Sequence, residues 1–355
     1  MAVPASHALT SYLDNYDTNL NDALKRADGI IAVFGAKGRI KEETSGGPGF
    51  KVRVMYGTNP NVAWGTTTGQ INTAATEAKT MATVPQKFIR GTIALNIVEL
   101  SRASKQGEWS LGDYVGEEKK IAAETYVQAW ADALRADAPG ANDPFSLLPT
   151  AANAANGILS PQAPASQTAT TAGISRADNS WWRNQYSNSS IDISAEAGRS
   201  TLQQLYLLTV NGSTVDDEPD FGLTNSLVIS DLTQGVNTNR RAGYGDELMA
   251  KLKLSGIMFE NAMLIRDAAS KLTSKICFIN TRDLYIKFLR MTASGVGESG
   301  TKENWDQSNS MGAVPVTVFP FTRDIDSFHF VSMFGAVASL VPAQLRTHAL
   351  ADNVV

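Results

Sequence analysis

At 355 residues, 43% of them hydrophobic and 19% charged, the chain can bury a sizeable core and has the balance of a folded protein, which excludes a wholly disordered one. A net charge of −4 without a basic block argues against a surface devoted to neutralising phosphates. The single cysteine, Cys277 in the apolar run KICFIN, rules out an intrachain disulfide and reads as a free buried thiol.

The first residues lack a basic segment followed by an apolar one, so no secretory leader is expected. Phe328 to Val341, the longest apolar candidate, is interrupted by His329, Ser332, Gly335 and Ser339, and no membrane span is expected either. Residues 6 to 28 place Leu9, Leu13, Tyr16, Leu20 and Leu24 on one helical face, with Ser6 as a cap and Gly29 as a stop. This amphipathic arm docks on its own domain or on another subunit.

After IIAVFGAKG, the run GFKVRVMYG alternates Phe50, Val52, Val54 and Tyr56 with Lys51, Arg53 and Met55, a half-buried strand. KFIRGTIALNIVEL alternates in the same way through Ile89, Gly91, Ile93, Leu95 and Ile97, and reads as its hairpin partner. Between them lie nearly thirty residues of Thr, Gly, Asn and Ala. A two-stranded arm without its own core is marginal alone, so this one is expected to lie on another molecule, or else to be a disordered loop.

Ser110 to Asp137 reads as one long helix of roughly 40 Å, with Asp113 three residues after Ser110 and Pro139-Gly140 beyond its end. Ala123, Val127, Trp130 and Leu134 form its apolar stripe, flanked by Tyr126 and Ala133, and the chain is expected to be organised around it. From Ala138 to Ser180 prolines block long helices, giving a boundary or an irregular crossing. SWWRNQYSNSS then leads to a helix carrying Leu202, Leu205 and Tyr206. SLVIS is expected to be a short buried strand, with Asp231 opening a further helical or loop segment. AMLIRDAA and KICFINTRDLYIKFL are each expected to hold a strand, and Val314 to Leu340 to be rich in strand. The fold class is α+β.

Motifs for catalysis fail one by one. Gly295, Gly297 and Gly300 match GxGxxG but run into TKENWDQSNS instead of a helix. His7, His329 and His348 are scattered, and Asp216, Asp217, Glu218 and Asp220 lack the spacing of a calcium loop and read as a solvated turn. The sequons at Asn188 and Asn211 mean nothing without export. No catalytic, cofactor or metal set converges, and two expected arms between subunits point to a structural protein.

This order of parts resembles the major capsid proteins of tailed bacteriophages with the Hong Kong 97 fold. SWWRNQYSNSS, TLQQLYLLTVNG, SLVISD, FENAMLIRDAA and KICFINTRDLYIKF are similar to one capsid subfamily. The resemblance implies an N-terminal arm (1–35), a hairpin arm called the E-loop with its strands (36–100, the loop and its roots being Lys51 to Ile97), and a spine helix in a peripheral domain (101–140). It also implies a mainly axial domain (141–290, much of it Trp181 to Ala269) and strands returning to the peripheral domain (291–355).

By the same resemblance the chain is a virion protein, assembled in the host cytoplasm into hexamers and pentamers around double-stranded DNA that it touches only weakly. A portal, a separate scaffolding protein and a decoration protein are its expected partners. Arg53, Tyr56, Trp64, Lys79, Lys87 and Arg90 are expected to contact neighbouring subunits. Lys79 is the candidate donor of a covalent cross-link, although no accompanying Asn and Glu match a motif. The alternatives are an encapsulin-like nanocompartment shell, a metal-dependent hydrolase built on the acidic turn, and a monomeric carbohydrate- or surface-binding module.

Overall fold

The apolar octapeptide GIIAVFGA has no polar face to offer water, and it forms a buried helix, α1 (Gly29–Ala36), in which Ile30, Ile31, Val33 and Phe34 are wholly enclosed. Gly38, at φ +64°, turns the chain out of it into strand β1 (Ile40–Glu42). The computed structural model describes residues 29–43, 47–57, 78–98, 111–136, 145–147, 157–210, 218–235, 256–267, 272, 274–289, 317–318, 322–323 and 329–354. The arm expected at 6–28, Trp64, Asp216, Asp217 and the glycines at 295–300 lie outside these residues.

The first correction concerns the hairpin. Strand β2 (Gly49–Met55) pairs antiparallel with β3 (Lys79–Pro85), from Gly49 opposite Pro85 to Met55 opposite Lys79. The run KFIRGTIALN, expected to be the partner, is β4 (Lys87–Asn96) and joins a different sheet. The inner face of β3 is built from small side chains: Ala82 sits opposite Val52, Val84 opposite Phe50 and Thr80 opposite Val54. Such residues carry little apolar signal, yet they fit against the larger residues across the ladder. Phe50, Val52, Val54, Ala82 and Val84 are all buried within this chain, so the paired part of the arm has a core after all.

Helix α2 (Leu111–Leu134) spans 24 residues, about 36 Å, and lies against β4 with Tyr126, Trp130 and Leu134 buried. Beyond it come the short strands β5 (Thr170–Thr171) and β6 (Ile174–Ser175), joined by Ala172 and Gly173, both at positive φ as a two-residue hairpin turn requires. Strand β7 (Gln185–Ser187) then leads to helix α3 (Glu196–Leu207), where Leu202, Leu205 and Tyr206 face inward as expected.

After β8 (Phe221–Thr224) comes the second correction. SLVIS opens a helix, α4 (Ser226–Gly235), instead of forming a strand. Asn225 caps it, its side-chain oxygen accepting from the Val228 N–H at 2.8 Å, and buried Val228 and Leu232 are one helical turn apart. Strands β9 (Gly256–Phe259), β10 (Ala262–Arg266), β11 (Ile276–Ile279) and β12 (Leu284–Leu289) follow. KICFINTRDLYIKFL is thus two strands separated by a turn at 280–283, in which Asp283 N–H donates to the Asn280 carbonyl. The last are β13 (Thr317–Val318), β14 (Thr322–Arg323), β15 (His329–Pro342) and β16 (Ala349–Ala351).

Among the described residues the strands form two six-stranded sheets and two separate hairpins. In the first sheet β15 is the hub: one of its edges carries β4, and the other carries β14, β13 and β12 in succession, with β1 outside β12. The second has the order β7-β16-β11-β8-β10-β9. Alternation along its strands separates two cores. Ile276, Phe278, Ala262 and Leu264 pack with Leu202, Leu205, Tyr206, Val228 and Leu232 of α3 and α4. Cys277, Ile279, Met263 and Ile265 face a larger core shared with α1, α2, the β2/β3 hairpin and the first sheet.

Candidate inter-subunit surface

The outer face of the β2/β3 hairpin brings Lys51, Arg53 and Met55 beside Thr83, Met81 and Lys79, with Met55 64% and Met81 50% exposed. Two of the expected contact residues, Arg53 and Lys79, therefore share one basic and apolar face. Arg90 lies elsewhere, exposed on β4 with Phe88 and, across the ladder, Met333. Lys87 sits on the opposite, core-directed face of β4 and is half-buried. Tyr56, still 37% exposed, stacks its ring on Trp181 at 4.7 Å between centroids, 13° from parallel.

That stack draws in SWWRN, in which Trp182, Arg183 and Asn184 each have a distinct contact. Trp182 is fully buried and its indole N–H donates to the Thr171 carbonyl at 3.0 Å. Arg183 donates to the carbonyls of Arg176 (2.6 Å) and Ala177 (2.7 Å). Asn184 Oδ1 accepts from Ser160 N–H and from Arg176, while its amide donates to the carbonyls of Ser160 and Gln185.

At the centre of this segment stands Arg176, 1% exposed. Its Nε donates to Thr171 Oγ1 at 3.0 Å, Nη1 to Gln167 Oε1 (3.1 Å) and Asn184 Oδ1 (3.0 Å), and Nη2 to the carbonyls of Gly157 (2.9 Å) and Ile158 (2.7 Å). Every guanidinium N–H is matched and no carboxylate is among these partners. Burial pulls its pKa down to about 10. The aromatic pair and the asparagine were visible as a motif; the arginine at its centre had no local signal.

Comparison with known proteins finds no family profile and no curated protein that matches the chain. Solved structures do match. A chain of the cyanophage A-1(L) capsid asymmetric unit has a TM-score of 0.55 at 14% identity, covering 91% of this chain and 92% of that one. The capsid of an empty GTA particle gives 0.55 at 10% identity, covering 90% of each chain, and that of the native particle 0.51 at 12%, covering 90% and 91%. This is the Hong Kong 97 capsid fold.

Within this capsid fold the described carboxylates of the acidic turn, Glu218 and Asp220, are bonded to neighbouring elements. The Asp220 carboxylate pairs with Lys37 at 2.6 Å and accepts from the Thr281 N–H (2.8 Å) and hydroxyl (2.6 Å), pinning the turn between β11 and β12 to the end of α1. Glu218 accepts from Tyr206 and from Asn261. Among the described residues no group of three or more His, Cys, Asp or Glu side chains is placed to hold a metal ion. Cys277 is buried, donates weakly to the Leu223 carbonyl at 3.4 Å, and burial pushes its thiol up to about 12, so it carries no nucleophile at neutral pH.

His348 couples this capsid fold to pH. It is fully buried, accepts from Asn280 N–H at 3.2 Å, and burial lowers its pKa from 6.5 to about 4 against the opposing influence of Gln344 and Asp220. Between these values the unfolded chain binds a proton that the folded chain refuses. Stability is therefore complete above pH 6.5 and falls as the pH drops toward 4, by about 3 kcal/mol. Urea midpoints of wild type and His348→Gln at pH 7 and pH 4.5 test this. The wild type should lose more on acidification than the variant, and equal losses would refute the assignment.

Proposed function

We propose that the chain is the shell-forming subunit of a phage-type capsid. The observation that carries this reading is the fold itself, shared over about nine-tenths of both chains with subunits of the cyanophage and GTA capsids. The chain's work is then assembly: heterologous contacts that close into hexamers and pentamers, and a closed shell around double-stranded DNA in the virion. A net charge of −4 suits a wall that encloses DNA without gripping it. A portal, a separate scaffolding protein and a decoration protein complete the particle. We assign the first sheet, the hairpin and α2 to the peripheral region and the second sheet to the axial one. The turn at 280–283 divides them, and 349–354 returns to the axial side.

Two exposed faces supply the joining chemistry. The hairpin offers Lys51, Arg53 and Lys79 around Met55 and Met81. Along α2, Glu117, Ile121, Glu124 and Gln128 recur at helical spacing on the exposed side, with Ile121 58% exposed. Both faces are uncovered within one chain, and their charges are complementary, so the hairpin of one copy is assigned to α2 of the next. Arg53→Glu combined with Lys79→Glu should abolish shells and rings in sedimentation and negative-stain imaging while leaving a folded monomer. Adding Glu117→Lys and Glu124→Lys should restore assembly. Normal shells from the first double variant would overturn this pairing, and a wild-type chain that stays monomeric with its neighbouring genes expressed would overturn the shell reading.

A further inference from the structure

The described part of the hairpin packs its inner face on the core and is gripped near both ends by one further segment of its own chain. Near the base, the Thr83 N–H of β3 donates to the Ala172 carbonyl at 2.8 Å. Ala172 is a non-glycine residue at φ +53°, a conformation that L side chains adopt at a cost, and the turn holds its carbonyl on β3. Near the far end, Tyr56 stacks on Trp181, just after Tyr56 N–H has closed the ladder on the Ala78 carbonyl at 3.1 Å. Trp181 in turn meets Trp182 edge-on at 5.7 Å, and Trp182 is tied to Thr171. The two anchor points therefore sit on one body, the 157–184 segment, and Arg176 joins its strands and loops from within.

We propose that this segment is a latch that fixes the angle at which the hairpin leaves the body, with Trp181 and Ala172 as its grips and Arg176 as the positioning residue that sets their spacing. An arm free to swing would present its outer face over a range of angles. An arm gripped at two points presents it at one, and in a heterologous contact that angle decides whether a ring closes and how curved the shell is. This link to shell geometry rests on the capsid reading; the latch itself does not.

The test uses the full chain and hydrogen exchange followed by mass spectrometry. Tyr56→Ala and Trp181→Ala should each speed exchange of the Tyr56 and Thr83 amides by about tenfold, and the double variant should add little, because both remove the same stack. Amides of β12 and β15 should be unchanged. Unaltered Thr83 exchange in both single variants, or a uniform rise through β12 and β15, would overturn the latch. Particles of Trp181→Ala should be broader in diameter than those of wild type, and equally uniform particles would overturn its link to curvature. If the wild type forms no particle, the capsid reading falls while the exchange result still decides the latch.

Discussion

Arg176→Met should destabilise the chain by about 3 kcal/mol or more, read as a drop in urea midpoint at neutral pH. Two effects compete. Removing the cation relieves its burial, worth about 3 kcal/mol for a pKa held near 10 instead of 12.5. It also leaves Gln167 Oε1 and the carbonyls of Gly157 and Ile158 facing an apolar side chain in a buried site, while Asn184 Oδ1 keeps only the Ser160 N–H. At about 1–3 kcal/mol per orphaned acceptor the second effect wins. Arg176→Lys should recover only part of the loss, since an ammonium group has three donors and no planar fork with which to reach five acceptors. A methionine variant within 1 kcal/mol of wild type would mean that water or local collapse satisfies the segment without the guanidinium.

Asp267→Ala should be comparably damaging, at about 3–5 kcal/mol, and Arg135→Met combined with Asp267→Leu should recover most of that loss. Arg135 Nε lies 2.5 Å from Asp267 Oδ1, with the two side chains 4% and 0% exposed. Arg135 directly follows α2 and also donates to the Ala131 carbonyl at 3.2 Å, while the Asp267 N–H donates to the Thr224 carbonyl at 2.8 Å. The pair therefore fastens the end of the long helix to β8 and β10 of the second sheet. Cutting one partner strands a buried charge, whereas replacing both with apolar groups does not. A double-mutant cycle of Arg135→Met, Asp267→Leu and their combination, read by thermal or urea unfolding, measures the difference. Additive single and double effects would mean that the two groups are held by other neighbours rather than by each other.

What the sequence made legible follows from where the chemical signal was strong. The α2 helix was readable because Tyr126, Trp130 and Leu134 recur with its period, and β2 because large apolar residues alternate with Lys51, Arg53 and Met55. Strand β3 was invisible because its inner residues are Thr80, Ala82 and Val84, which gain their meaning only across from Val54, Val52 and Phe50. SLVIS was misread because Val and Ile suggest strand, while the cap that makes it helical is the preceding Asn225. The role of β15 as hub, and the partnership of Arg135 with Asp267, are properties of pairing at long range, and no local pattern encodes them. For the same reason the outer face of the hairpin was found only in part. Arg53 and Lys79 share it, whereas Tyr56 stacks on Trp181, and Lys87 and Arg90 belong to β4 of another sheet.

The arrangement of β15 also decides how the folded chain responds to being pulled. One edge of this strand is zipped to β4 from His329 to Ala338, while its other edge holds β14, β13 and β12 end to end. Tension along the strand meets its ladder bonds broadside, so they share the force and fail together instead of peeling in turn. Just past its end, the Ala343 N–H donates to the Asp283 carbonyl, and the chain goes on to β16 in the second sheet. The strand thus acts as a tie rod between the two sheets, and a force that stretches the chain in that direction loads both of its ladders at once.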